Sequence, residues 1–188
     1  MVLKGKCLMK KQPYVYMTNA KLIKELKKNL HEVEYDGRFL QTKQYRHHRT
    51  TTCYKHSVAV AYYSLKLANA LMFRYDPKSL VRGALLHDYY LYDWHDKSDA
   101  HKRFHGFRHP YAALKNAEGD YQLDEIEKNT ILRHMFPLVP IPPKHIEGVY
   151  VCIIDKVCCI AEMLRIRRLM DFYKPCFDIK TVNENIGA

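Results

Sequence analysis

Histidine and aspartate side chains occur in this chain at positions whose neighbours are mostly apolar. His87 and Asp88 end the run GALLHD, His56 lies in KHSVAVA, and Asp155 lies in IIDKVCC. Burying a carboxylate without a partner costs on the order of several kcal/mol. A divalent cation compensates carboxylates and neutral imidazoles together, and this set of ligands suits Zn, Fe or Mn. The residue types and their surroundings therefore indicate a metal centre.

Apolar spacing and capping residues predict the elements that carry these side chains. Seven glycines in 188 residues and few alternating runs favour helices over strands. Thr18 is predicted to cap the first helix, and Asp76, followed by Pro77, the third. The sequence therefore predicts an all-α fold, a single compact helical bundle. The predicted helices cover about residues 19–30, 52–73, 77–89, 110–119, 124–135 and 146–170.

Three segments between these helices are predicted to be irregular. Residues 31–50 are polar and contain the cluster YRHHRTTT. Residues 90–108 are rich in charged side chains and are predicted to form a long surface loop, a kind of loop that often carries function. The segment FPLVPIPPKH has four prolines, which exclude a helix and indicate a braced connector.

The segment around His109 allows two interpretations. Because His109 precedes Pro110, it is predicted to be the N-cap of the fourth helix. His101, His105 and His109 are also spaced at intervals of four residues, so they could line one face of a helix and bind a metal ion by themselves. Gly106 and Pro110 disfavour a continuous helix there, which favours the first interpretation.

The order His56, His87-Asp88 and Asp155 resembles the HD-domain superfamily of metal-dependent phosphohydrolases. The resemblance covers about residues 45 to 170 and includes the surroundings KHSVAVA, GALLHD and IIDKVCCIAEML. It implies an HD-domain-like helical bundle in which these four residues ligate one metal ion. Members with two metals add two histidines between the doublet and the final Asp, where this chain has His109 in FRHPYAAL and His134 in LRHMFP.

With those two histidines, the chain resembles the binuclear subgroup, which includes bacterial diadenosine-polyphosphate hydrolases and cyclic-dinucleotide phosphodiesterases. The resemblance implies two divalent ions (Fe, Mn or Zn, with Mg as an alternative) bridged by Asp88, although a mononuclear site remains open. It also implies that His87 and Asp88 are the catalytic residues and that a metal-activated water attacks a phosphoester. The expected substrate is a small phosphorylated molecule, a nucleotide. Monoester and diester substrates both remain open.

Phosphate needs positive neighbours besides the metals, and the sequence offers a few. Arg49, His48 and Arg108 are predicted to contact substrate, each with a solvated surface charge as the alternative explanation. The chain departs from several phosphohydrolases that carry a Lys or Glu shortly after the doublet. Here the doublet is followed by YYLYDWHD, in which Asp93 is the nearest charged residue. The resemblance therefore indicates the type of reaction better than it indicates the substrate.

The net charge of +11 is concentrated near the N-terminus, because residues 1–30 hold eight lysines and one glutamate. We therefore expect one domain over residues 1–188, divided into a basic helical leader, 1–44, and an HD-type metal-binding core, 45–172. The alternative function is a non-enzymatic helical domain that binds nucleic acid or another polyanion and holds a structural metal. Few aromatic residues interleave with the lysines, which disfavours nucleic-acid binding.

The remaining sequence features concern the compartment. The six cysteines lack C-x-x-C spacing and are expected to be reduced in a cytoplasmic protein. No apolar run approaches the roughly 20 residues that span a bilayer, and the basic N-terminus lacks the apolar segment of a signal peptide. No membrane association is therefore expected, and the oligomeric state is left open.

Overall fold

The computed structural model describes residues 16–47, 51–93 and 105–164. Within these ranges the chain forms no β-strand, and its strand-like pairing is one isolated bridge between Arg46 and Thr52. The predicted all-α fold is confirmed. The helices are α1 (Asn19–Asp36), a 3-10 helix (Phe39–Lys43), α2 (Cys53–Leu71), α3 (Pro77–Leu86), α4 (His105–Asp120), α5 (Glu125–Arg133) and α6 (Ile146–Leu164).

Side-chain caps begin four of these helices. Thr18 accepts a hydrogen bond from the backbone of Lys21, and Asp76 accepts one from Ser79 with Pro77 in the first turn. Both caps were predicted from the sequence and are confirmed. Thr52 begins α2 in the same way, and α5 begins with a full capping box at Asp124. Each cap satisfies a backbone N–H that the helix itself leaves free.

Helix α3 lies at the centre of the bundle and packs against α1, α2, α5 and α6. Its residues Leu80, Val81, Ala84 and Leu85 are fully buried in the same apolar cluster as Leu65 of α2. Helix α1 contributes Leu22, Leu26 and Val33 to that cluster. Because other helices surround α3, the residues at its C-terminal end lie in the interior of the protein.

Two predicted boundaries near α1 and α3 were wrong. Residues 31–50 were predicted to be irregular, but α1 continues to Asp36 and a 3-10 helix follows. The apolar stripe persists through Val33, which is fully buried, so packing extends the helix past its most obvious pattern. The third helix was predicted to reach Tyr89, but α3 ends at Leu86 with His87 as its C-cap. Residues 165–170 of the last predicted helix lie outside the described residues.

The largest correction concerns α4. His109 was predicted to be an N-cap and residues 90–108 a loop, but residues 105–108 belong to α4, so Pro110 lies inside the helix. Residues 94–104 of the predicted loop lie outside the described residues. Proline removes one backbone donor from the helix. The helix nevertheless forms because His109, Pro110, Ala113 and Ala117 make a buried face, and the burial of that face outweighs one lost hydrogen bond.

Gly37 connects α1 to the rest of the fold through a close approach to Tyr121. A Cβ atom added at Gly37 would overlap the ring of Tyr121, whose hydroxyl donates to the carbonyl of Val33 at 2.8 Å. We expect Gly37→Ala to lower the free energy of unfolding by about 1–3 kcal/mol, measured by urea denaturation. Gly119→Ala is the matched control, because an added Cβ there meets no atom within 4 Å. Equal stability of the two variants would contradict the predicted overlap.

Candidate metal centre

Two histidines occupy equivalent positions at the ends of neighbouring helices. His87 is the C-cap of α3 and His134 is the C-cap of α5. One helical turn before them, Gly83 of α3 approaches Thr130 of α5 so closely that an added Cβ would lie 3.1 Å from the threonine side chain. The absence of a side chain at Gly83 therefore lets the two helices converge. The rings of His87 and His134 lie 4.9 Å apart, between centroids.

Both C-cap histidines are oriented by the backbone of their own helices. The Nδ1 of His87 donates to the carbonyl of Ala84 at 2.7 Å, and the Nδ1 of His134 donates to the carbonyl of Ile131 at 2.8 Å. A carbonyl oxygen only accepts, so each Nδ1 carries the hydrogen and each neutral ring has its lone pair on Nε2. Both Nε2 atoms are thereby directed into the site.

Helix α4 supplies a third histidine held in the same way. His109 donates from Nδ1 to the carbonyl of His105 at 2.9 Å, so Nε2 is also its ring nitrogen that is left to bind a metal ion. That Nε2 lies 2.8 Å from the Nε2 of His134. The first turn of α4, before Pro110, was not predicted from the sequence, and it brings His109 to the other proposed ligands.

Helices α2 and α6 meet at the other side of the site. The Nε2 of His56 lies 3.1 Å from Oδ1 of Asp155, and the Nδ1 of His56 donates to Glu162 at 2.9 Å. Asp155, Cys159 and Glu162 are spaced four and three residues apart, so they share one face of α6. This face supplies the acidic side of the site.

The carboxylate of Asp88 lies between these two groups of histidines. Its Oδ2 is 3.6 Å from the Nε2 of His87 and 4.0 Å from that of His56. Its Oδ1 is 3.3 Å from the Nε2 of His109 and 3.7 Å from that of His134. All six residues predicted as metal ligands therefore lie together, and the two oxygens of one carboxylate face different histidines.

The arrangement of these atoms suits cations. The Nε2 of His87 is buried and has no hydrogen-bond partner. Burial, together with His87 and His109, lowers the pKa of His134 to about 3, so this ring is neutral. The Nε2 atoms of His109 and His134 lie 2.8 Å apart, close enough for both to bind one cation. The donor groups His56, His87 and Asp155, and His87, Asp88 and His134, are each compact enough to hold an ion.

The acidic residues of the site are ionised although they are buried. Burial raises the pKa of Asp88, but His87, His109 and His47 outweigh it and hold the pKa well below the ordinary value. Burial likewise raises the pKa of Asp155, and His56 and His87 outweigh it. Carboxylates and neutral imidazoles are the forms that bind metal ions.

Two residues of the site were not singled out from the sequence. His47 contacts Oδ2 of Asp88 at 3.0 Å and Glu162 at 3.0 Å. The position of Glu162 seven residues after Asp155 was a signal that could have identified it, whereas His47 stands in an irregular stretch with no periodicity to interpret.

Of the predicted substrate contacts, Arg108 is exposed on α4, and His48 and Arg49 lie outside the described residues.

The histidine triad considered as an alternative is only partly formed. His105 and His109 stack on α4 with ring centroids 4.8 Å apart, so the continuous helix that was disfavoured does exist over these two residues. However, the Nε2 of His109 faces Asp88 and His134 rather than His105. His101 lies outside the described residues.

A cavity of about 200 Å³ opens beside the ligands and is lined by Asp88, His105, His109, His134 and Cys159 among others. A larger cleft, about 490 Å³, lies at the junction of α1, α3, α4 and α5 and contains none of the predicted ligands. The smaller cavity is therefore the one through which a reacting group would reach the metal centre.

A family model described as HD domain matches residues 53–158. The chain belongs to the HD domain family. The matched segment contains all six predicted ligands, whereas His47 and Glu162 lie outside it. HD domains in general bind divalent metals and are metal-dependent phosphohydrolases. No curated protein and no solved structure shows significant similarity to the chain.

No helix among the described residues is both long enough and apolar enough to cross a membrane.

Proposed function

We propose that this HD domain is a phosphohydrolase that uses two divalent ions to cleave a phosphoester, with a nucleotide as the expected substrate. The observation that carries the proposal is the position of Asp88, whose Oδ2 faces His56 and His87 and whose Oδ1 faces His109 and His134. A carboxylate that faces two histidine pairs through separate oxygens is suited to bridging two ions.

The proposed ligands form two sets that share Asp88. His56, His87 and Asp155 would hold one ion with Oδ2 of Asp88, and His109 and His134 would hold the other with Oδ1. Imidazole and carboxylate donors favour Fe, Mn or Zn over Mg. Bound divalent ions supply an activated water near neutral pH and positive charge opposite the phosphoryl oxygens.

The chain's own residues supply position and environment. The backbone carbonyls of Ala84, Ile131 and His105 fix three imidazoles so that their Nε2 atoms need no reorientation. The cavity of about 200 Å³ admits a phosphoryl group beside Asp88, and its buried walls strengthen the electrostatic interactions there. Exposed Arg108, one residue before His109, is proposed to contact the substrate outside the cavity.

The test is hydrolysis by the full-length protein stripped of metal and then supplied with Zn²⁺, Mn²⁺ or Fe²⁺ separately. We expect release of p-nitrophenol from p-nitrophenyl phosphate or from bis-p-nitrophenyl phosphate only in the metal-loaded samples, followed by release of phosphate or nucleotide from a nucleotide panel. The preferred ester identifies the protein as a monoesterase or a diesterase. Metal-loaded protein that turns over none of these esters and no nucleotide would contradict the proposal.

A further inference from the structure

His47 enters the metal centre from the segment that precedes α2. Its backbone N–H donates to the carbonyl of Thr51 at 2.9 Å, next to the bridge between Arg46 and Thr52. The ring stacks on His56, with centroids 3.7 Å apart and an interplanar angle of 22°. These contacts hold His47 beside His56, and its Nε2 lies 3.0 Å from Oδ2 of Asp88.

One carboxylate orients both stacked rings. The two oxygens of Glu162 lie 2.9 Å from Nδ1 of His56 and 3.0 Å from Nδ1 of His47, and the Glu162 side chain is only 1 % exposed. An ionised carboxylate only accepts, so both Nδ1 atoms carry hydrogen, and Nε2 is the ring nitrogen of each histidine that is left to bind a metal ion. Carboxylates hydrogen-bonded to histidine in this way are a recurring support of metal ligands.

We propose that His47 is an additional metal ligand, on the Oδ2 side of Asp88, and that Glu162 is the positioning residue that holds His47 and His56 in place. The proposal rests on the metal centre proposed above and extends its ligand set beyond the six residues predicted from the sequence. His47, His56 and Cys159 each offer a donor atom, and these atoms lie within 4.8 Å of one another, as the ligands of a shared ion must.

The additional ligand makes the two halves of the centre unequal. Among the described residues, the Oδ2 side offers the side chains of His47, His56, His87 and Asp155, whereas the Oδ1 side offers His109 and His134. An ion with few protein ligands keeps positions open for water and substrate, and a fully ligated ion does not. The ion on the Oδ2 side is therefore the tightly bound one, and the ion on the Oδ1 side is exchangeable and faces the substrate.

The experiment titrates metal-free, full-length protein with Zn²⁺ against a chromogenic chelator, which resolves a tight and a weak binding step. We expect His47→Phe, which keeps a ring to stack on His56 but has no donor atom, to weaken the tight step by about 10–100-fold and to leave the weak step unchanged. Glu162→Gln should also weaken the tight step. The NH₂ group that replaces one carboxylate oxygen cannot accept the hydrogen bond from Nδ1 of His47 or of His56. His134→Phe should weaken only the weak step.

His31→Phe is the matched control, since His31 is an exposed histidine on α1 and should leave both steps unchanged. Co²⁺ substitution adds a spectroscopic measurement, because loss of a nitrogen ligand changes the visible absorption of the tightly bound ion whereas a remote packing change does not. If His47→Phe does not fold, His47→Gln, which removes the imidazole but keeps a polar side chain, carries the same test.

An unchanged tight step and an unchanged Co²⁺ spectrum in His47→Phe would overturn the proposal, as would equal weakening of both steps. Failure of the proposed function gives a different result: the tight step weakens as expected in His47→Phe, but the metal-loaded wild-type protein cleaves no phosphoester. Wild-type protein that binds no Zn²⁺ would overturn both.

Discussion

Asp88→Asn is expected to lower the turnover number for phosphoester hydrolysis by about 10³-fold or more, a loss of about 4 kcal/mol in transition-state stabilisation. The substitution keeps the size of the side chain but removes its charge and replaces one carboxylate oxygen with an NH₂ group. Since each oxygen of Asp88 faces a different set of histidines, either orientation of the amide places an NH₂ group toward one proposed ion. The measurement is steady-state kinetics of metal-saturated protein, with metal content determined on the same sample.

The control for this variant is Asp36→Asn, since Asp36 is exposed at the end of α1 and lies outside the metal centre. It should retain wild-type turnover. Asp88→Asn should also bind less metal than the wild type, because one shared ligand is damaged for both ions. An Asp88→Asn protein that is folded, carries two ions and turns over at the wild-type rate would show that the carboxylate neither bridges the ions nor supports the reaction.

The six proposed ligands could be singled out from the sequence because each belongs to, or directly ends, a helix with a regular apolar pattern. His56 and Asp155 lie on inward faces, and His87 and His134 follow the last apolar residues of α3 and α5. A polar side chain at such a position is conspicuous, since burying it requires a partner. The fold class followed from the same periodicity, which local signals describe well.

The start of α4 and the role of His47 could not be predicted, because both depend on contacts between residues that are distant in sequence. Pro110 is a local signal against a helix, but the buried face of α4 outweighed it, and no local rule measures that packing. His47 lies outside the helices, next to one isolated bridge, and its sequence neighbours His48 and Arg46 are equally polar. Only the stacking on His56 and the hydrogen bond to Glu162, 115 residues away in sequence, distinguish it. Long-range partners of this kind are visible only in three dimensions.

Removal of metal is expected to lower the thermal stability of the protein substantially. Without cations, the ionised Asp88, Asp155 and Glu162 share a buried site. Burial lowers the pKa of His56, but Glu162 and Asp155 outweigh it and raise that pKa to about 9, so a bound cation would replace this proton as the partner of the carboxylates. A ligand that binds only the folded state stabilises it by about 2.7 kcal/mol at a free concentration of 100 times its dissociation constant. For a chain of this size, that corresponds to a rise in the melting temperature of about 5–10 °C.

The measurement is thermal unfolding followed by circular dichroism, for chelator-treated protein with and without added Zn²⁺ or Mn²⁺. His134→Phe removes a proposed ligand of one ion, so its gain in melting temperature on adding metal should be smaller than that of the wild type. His31→Phe should show the full gain. A wild-type melting temperature that does not respond to metal, or a full gain in His134→Phe, would mean that the buried carboxylates and imidazoles are compensated by each other. In that case the positive charge comes from protonated histidines, and the cluster is a hydrogen-bonded core rather than a metal centre.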